Sequence, residues 1–99
     1  MKIYISGSIT GTDDFMERFS IAQKKMERDG HDVMNPALVN SNLPKSTTYS
    51  EYMDMSICML KMCDAIYLLD GWESSRGANL ERIFAMLNDK TILYEVKTS

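Results

Sequence analysis

Two cysteines, one histidine and two prolines in 99 residues leave several chemistries without material. Cys58 and Cys63, five apart, are too few for a disulfide scaffold. His31 is distant from them in sequence, so the ligands of a zinc cluster are missing, and neither a metal nor a cofactor is expected. Both cysteines read as buried thiols of a reducing compartment. No run approaches the length of apolar residues that spans a bilayer, and Met1-Lys2-Ile3-Tyr4 leads directly into a strand pattern. Neither a membrane span nor a signal peptide is therefore expected, and the expected location is cytoplasmic. Positive charge is also scarce: 11 basic against 14 acidic residues, a net of −3. A nucleic-acid polymer or an anionic membrane would call for a basic excess, so neither is expected as a partner. The length allows one domain, residues 1–99, and no second core.

What is present, 44% hydrophobic and 25% charged, is globular material in alternating strands and helices. Lys2-Ile3-Tyr4-Ile5-Ser6 is a β-favouring run that stops at Gly7. Phe15, Phe19, Ala22 and Met26 recur at helical spacing, and Gly30 closes that helix. His31 to Asn35 reads as a second strand ended by Pro36, and residues 37–47, which include Pro44, as a long polar loop. Thr48 with Glu51 three residues on is a capping-box signature, opening a second helix that runs to about Met62. Ala65-Ile66-Tyr67-Leu68-Leu69 is the near-continuous apolar run of a strand buried on both faces. A third helix, Gly77 to Asn88, and a last strand, Thr91 to Val96, follow. This alternation predicts an α/β fold: a four-stranded parallel sheet flanked by helices, in the flavodoxin-like order 2-1-3-4. Ligands of such sheets bind beyond the carboxyl ends of the strands, where the order reverses. The loops at 7–11 and 70–77 would then lie side by side.

The second helix is apolar almost all the way round, with methionine as its main material and only Asp54 and Lys61 as a narrow polar strip. A helix covering an open sheet needs only one apolar stripe. The Met-rich helix 49–62 is therefore expected to form the core of a homodimer, since a chain this short has little left to cover it.

Candidate chemistry gathers in the two loops and at two carboxylates. Gly7, Ser8, Ile9, Thr10 and Gly11 form a loop able to cradle a phosphate or sugar, and a plain strand-to-helix turn reads as well. Ser74, Ser75 and Gly77 precede a helix N-terminus, where unpaired amides favour an anion, and Arg76 adds a fixed charge. Trp72 offers a surface for stacking a base or, equally, a core anchor. Asp70 is either a hydrogen-bond acceptor or a turn residue before Gly71. Asp54, among methionines, must pair with Lys61 or an incoming basic group, or have a raised pKa. Glu81 lies one turn into the third helix. Two carboxylates converging on a cleft are what glycosyl transfer uses, one as nucleophile and one for the leaving group's proton.

Three segments carry a resemblance. Ile3-Tyr4-Ile5-Ser6-Gly7-Ser8-Ile9-Thr10-Gly11, the helix with Asp54 leading to Cys63-Asp64-Ala65-Ile66, and Ser75-x-Gly77-x-x-x-Glu81-x-x-x-Ala85 occur in that order. Together they resemble the nucleoside 2-deoxyribosyltransferase-like family, most of all its branch that hydrolyses 2'-deoxynucleoside 5'-monophosphates. The resemblance implies Glu81 as nucleophile, Asp54 contacting the sugar and assisting the leaving base, and Tyr4 orienting Glu81. It implies Ser8, Gly11 and Ser75 at the 5' end of the substrate. Ile83, where these enzymes usually carry a small residue, is expected to narrow the pocket or shift the helix. The ligand class implied is a nucleoside or nucleotide, cleaved with water or transferred to a second base. A non-catalytic nucleotide-binding module on the same scaffold, and an interaction protein acting through the Met-rich helix, are the other two readings.

Overall fold

The computed structural model describes residues 1–9 and 14–96. Its elements are β1 (Lys2–Ser6), α1 (Phe15–Arg28), β2 (Asp32–Met34), α2 (Pro36–Ser41), α3 (Tyr49–Lys61), β3 (Ala65–Leu68), a 3-10 turn (Trp72–Ser74), α4 (Arg76–Leu87) and β4 (Thr91–Tyr94). All strand pairs are parallel and the order is β2-β1-β3-β4, as the alternation predicts. β1 from Ile3 onward and all of β3 are buried, because helices cover both faces of the central strands.

Side chains of a strand alternate between its faces, and this divides the core in two. Ile3 and Ile5 pack with Phe19, Ala22 and Met26 of α1. Tyr4 points the other way, into a second cluster with Met59 and Leu60 of α3, Ile66 and Leu68 of β3, and Ala78 and Ala85 of α4. Ser6, two residues after Tyr4, shares its face. This parity puts a tyrosine and a serine, rather than two isoleucines, beneath α3 and α4.

The start of α3 is the capping box that Thr48 and Glu51 announce. The Thr48 amide donates to Glu51 Oε1 at 2.8 Å, and the Glu51 amide donates to Thr48 Oγ1 at 3.1 Å. The helix is less uncovered than its composition implies. Met59 and Leu60 are core residues, and Met53 lines the cavity described below. Cys58 is exposed, against the expectation of two buried thiols, because it lies on the side of α3 turned from the sheet; only Cys63 is buried.

The expected loop at 37–47 begins instead as a helix. Asn35 caps α2 by accepting from the amides of Ala37 at 3.0 Å and Leu38 at 3.4 Å. Pro36 occupies the first helical position, where its missing N–H costs nothing and its φ is already helical. A proline that ends a strand thus also starts a helix. α2 packs against β1, α1 and α3 and closes one side of the space above β1. No helix among the described residues is long and apolar enough to cross a membrane.

The loops leaving β1 and β3 are adjacent, as the topology requires. The Leu69 amide donates to the Ser6 carbonyl at 2.8 Å. A Cβ added at Gly7 would stand 3.0 Å from Leu69 Cβ, which explains the glycine at the end of β1. Gly7→Ala is expected to lower stability by about 1–3 kcal/mol through this overpacking, read as a lower urea midpoint at unchanged slope.

Candidate active site

A cavity of about 470 Å³ opens beyond the carboxyl ends of β1 and β3, at the point where the strand order reverses. Tyr4 and Ser6 from β1 contribute to it from below, and the loop after β1 adds Gly7, Ser8 and Ile9. α3 supplies Tyr49, Tyr52, Met53 and Ser56, which follow the i, i+3, i+4, i+7 spacing of one helix face. The start of α4 supplies Ser74, Ser75, Arg76, Gly77 and, one turn on, Glu81.

Glu81 is only 6% exposed, and each of its carboxylate oxygens has a donor. The Tyr4 hydroxyl donates to Oε2, and Ser6 Oγ donates to Oε1 at 2.7 Å. Ser56 of α3 lines the same cavity. Burial pushes the Glu81 pKa above that of an ordinary glutamate, while the bonds from Tyr4 and Ser6 and the nearby Ser56 hydroxyl oppose the rise. Burial, followed by the negative charge of Glu81, holds the Tyr4 phenol well above its usual range. The result is a desolvated carboxylate whose oxygens are fixed in direction.

Ser75 is the N-cap of α4 and accepts from the Ala78 amide at 3.1 Å. Arg76 is exposed and lies 5.6 Å over the Tyr49 ring, at the mouth of the cavity. A Cβ at Gly77 would stand 3.4 Å from Met53 Sδ and 3.7 Å from the Tyr49 hydroxyl, ordinary contact distances, so the first turn of α4 lies against these two residues of α3. The amides of that turn, Arg76 and the dipole of α4 make this end of the cavity favourable to an anion.

The residues expected to form the site divide accordingly. Tyr4, Gly7, Ser8, Ile9, Ser75, Arg76, Gly77 and Glu81 line one cavity. Gly11, with Thr10, lies outside the described residues. Asp54 is exposed and is not part of the cavity wall. It follows Met53 by one helical step of about 100°, enough to turn it outward, and the expected pairing with Lys61 is not among the ion pairs of the described residues. The two carboxylates do not converge. Trp72 is half-buried away from the cavity, packed 5.9 Å from the Tyr94 ring with the Arg82 guanidinium 5.3 Å over its face. Asp70 is a turn residue outside the cavity: its carbonyl accepts from Arg18 Nη2 at 2.5 Å and its amide donates to Glu95 Oε1 at 2.8 Å. Ile83 is half exposed on the outer side of α4 and does not narrow the site.

Several lining residues escape the sequence reading, among them Ser6, Tyr49, Tyr52, Met53, Ser56 and Asn40. Ser56 stands where Asp54 is expected; its signal is the seven-residue spacing from Tyr49. Asn40 belongs to α2, which reads as loop. Its Oδ1 is buried without a hydrogen-bond partner among the described residues, and the residue lines the cavity. An unsatisfied buried amide oxygen is costly unless something else meets it. The signal for α2 is the Asn35-Pro36 start.

Residues 1–94 match the family described as Domain of unknown function (DUF4406). No curated protein matches the chain. A solved structure, that of the 2-deoxyribosyltransferase from the psychrotolerant bacterium Bacillus psychrosaccharolyticus, is similar with a TM-score of 0.77 at 15% identity. The match covers 99% of this chain and 77% of that one. At this identity the likeness is one of fold: the sheet order and flanking helices are those of the deoxyribosyltransferase.

Proposed function

This chain belongs to the DUF4406 family, and we propose that it cleaves or transfers the N-glycosidic bond of 2'-deoxynucleosides or their 5'-monophosphates. The observation that carries this reading is Glu81: a buried carboxylate at the switch point of the sheet, with both oxygens held by Tyr4 and Ser6. A carboxylate so directed is suited to attack an anomeric carbon from one face, and displacement of it by water or a second base from the opposite face, which the leaving base has vacated, gives net retention through two inversions. Tyr4 is the positioning residue for Glu81. Ser8, Ser75, Gly77 and Arg76 form the end that takes the 5' hydroxyl or phosphate, and Gly11 joins them by the family resemblance. Asp54, on the outer side of α3, has no part in this mechanism, and neither do Asp70 and Trp72.

The test is chromatography of each deoxynucleoside and deoxynucleoside monophosphate incubated with the protein, with and without a free acceptor base. Release of base is expected, and a new nucleoside formed only with acceptor marks transfer. Tight binding without release of any base would overturn the enzyme reading. It would favour the alternative, a nucleotide-binding module, which draws on the single carboxylate found among the described cavity residues.

Asn40 supplies a polar contact from α2, where its Oδ1, without a partner among the described residues, accepts from the edge of a bound base. Asn40→Ala is expected to raise KM by about 10-fold, the loss of one hydrogen bond of typical net strength, with kcat nearly unchanged. Its thermal midpoint should not fall, because the oxygen removed has no partner among the described residues.

We also propose a homodimer. Met62 on the last turn of α3 and Leu80, Ile83 and Leu87 on α4 are exposed, so the apolar surface spans both helices and not the Met-rich helix alone. Light scattering is expected to give twice 11.3 kDa, and Ile83→Asp with Leu87→Asp to give the monomer.

A further inference from the structure

We propose that the preferred substrate is an N-glycoside whose leaving nitrogen already carries a positive charge, such as an N7-alkylated purine nucleotide or a pyridinium glycoside. The inference rests on the reading of Glu81 as nucleophile and narrows its substrate class.

Glu81 is the only carboxylate among the described residues that line the cavity. The other titratable side chains there are Tyr4, Tyr49, Tyr52 and Arg76. Tyr4 already commits its proton to Glu81 Oε2. Arg76 does not give up a proton in a protein. Tyr49 and Tyr52 offer phenols rather than carboxyls, and Tyr49 has the Arg76 guanidinium against its ring. Asp54, the expected proton donor, is turned outward. A neutral base leaves as an anion unless an acid protonates it, and no carboxylic acid besides Glu81 stands among the described cavity residues. A cationic base needs none.

The charge balance is then self-contained. A bond forms from a Glu81 carboxylate oxygen to C1', and the C1'–N bond breaks with its electron pair going to the nitrogen. The leaving group departs neutral. Water then attacks C1', the Glu81 oxygen is released as carboxylate, and the spare proton passes to solvent.

Burial of Glu81 points the same way. A neutral ligand that expels water from the cavity deepens the desolvation that already favours the protonated, non-nucleophilic acid. A cation beside the carboxylate reverses that and keeps it ionised. The α3 wall fits such a ring. Tyr49 and Tyr52 present aromatic groups to the cavity, and Tyr49 already carries a guanidinium over its face. Arg76 and the start of α4 remain for the 5' phosphate, so the site matches a ligand that is cationic at its base and anionic at its 5' end.

The experiment compares N7-methyl-2'-deoxyguanosine 5'-monophosphate with 2'-deoxyguanosine 5'-monophosphate, in mildly acidic buffer where the methylated ring holds its charge. Base release is measured for the wild-type chain and for Glu81→Gln, which gives the uncatalysed background, and circular dichroism establishes that the variant is folded. The expected result is a Glu81-dependent acceleration at least about 100-fold greater for the methylated substrate, the span a missing general acid accounts for. Equal acceleration of both, or acceleration of the neutral one alone, overturns the inference and leaves the nucleophile reading standing. No acceleration of either over Glu81→Gln overturns the inference and the nucleophile reading together, and binding of both measured by calorimetry would then mark a binding module.

Discussion

Glu81→Gln lowers base release by roughly 10³–10⁶-fold, the range for loss of a group that forms the covalent intermediate, while substrate binding survives. Glutamine has the same shape, accepts the Tyr4 hydroxyl through its amide oxygen and offers its NH2 to Ser6 Oγ, so the fold around β1 and α4 is retained. Stability should move the opposite way to activity. The Glu81 pKa is raised in the folded chain by burial, so the folded state binds its proton more tightly than the unfolded state does. The stabilising contribution of the protonated acid is therefore complete below the ordinary value of 4.5 and is lost as pH rises through the raised pKa. Glutamine has no such slope. Urea unfolding of the two proteins should coincide at low pH and separate towards neutrality. The variant is then the more stable, by about 1.4 kcal/mol for each factor of ten by which burial weakens the acid. Wild-type kcat/KM should rise with pH through the same pKa, because only the carboxylate attacks. A variant that keeps wild-type turnover, or a pair whose stabilities stay parallel at every pH, contradicts the role and the environment assigned to Glu81.

Tyr4→Phe is the second large effect. The Tyr4 hydroxyl donates to Glu81 Oε2 from the floor of the cavity, and that bond is one of the contacts that hold the Glu81 pKa down. Its loss should reduce kcat/KM at neutral pH by about 10²–10³-fold, comparable to removing one directed donor from a reacting oxygen. It should also move the acid limb of the pH profile to higher pH, since Glu81 then ionises less readily. A purely structural role for Tyr4 would lower activity equally at every pH and leave that limb in place. In stability the variant strands one oxygen of a buried carboxylate, at a cost of about 1–3 kcal/mol. That cost should shrink at low pH, where the acid is protonated.

How legible each feature is in the chain depends on how local its cause is. The capping box of α3 is readable because Thr48 and Glu51 satisfy each other across three residues, with no help from the rest of the fold. The sheet order is readable because right-handed crossovers leave few arrangements for four parallel strands. The glycine after β1 is readable as a loop residue, yet its reason, the 3.0 Å approach to Leu69 Cβ, belongs to a distant loop. Pro36 reads as an ending, and only the Asn35 cap beside it makes it a beginning as well.

α3 shows why the second carboxylate is hard to place. An amphipathic helix announces its inward face, and the phase of its polar residues follows. Here methionine, isoleucine and cysteine surround the axis, so the pattern has no phase, and Asp54 and Ser56 are equally plausible as the inward residue. Packing chooses between them. Met59 and Leu60 go to the core, and Tyr49, Tyr52, Met53 and Ser56 to the cavity; Asp54 and Cys58 are left outside. Two residues of helix decide whether the cavity has one acid or two, and with that which leaving groups it suits.

By itself, then, the sequence determined the alternation of strands and helices, the parallel order 2-1-3-4, the two adjacent loops, and the presence of Glu81 one turn into a helix at the switch point. These follow from periodicity, caps and chirality, which act over a few residues or admit few solutions. Tertiary structure alone decided that Tyr4 and Ser6 hold the two oxygens of Glu81, that Ser56 and not Asp54 faces it, and that α2 brings Asn40 to the cavity. Each of those contacts joins residues far apart in the chain or depends on the rotation of a helix without a polar face, and only the packed core sets that rotation.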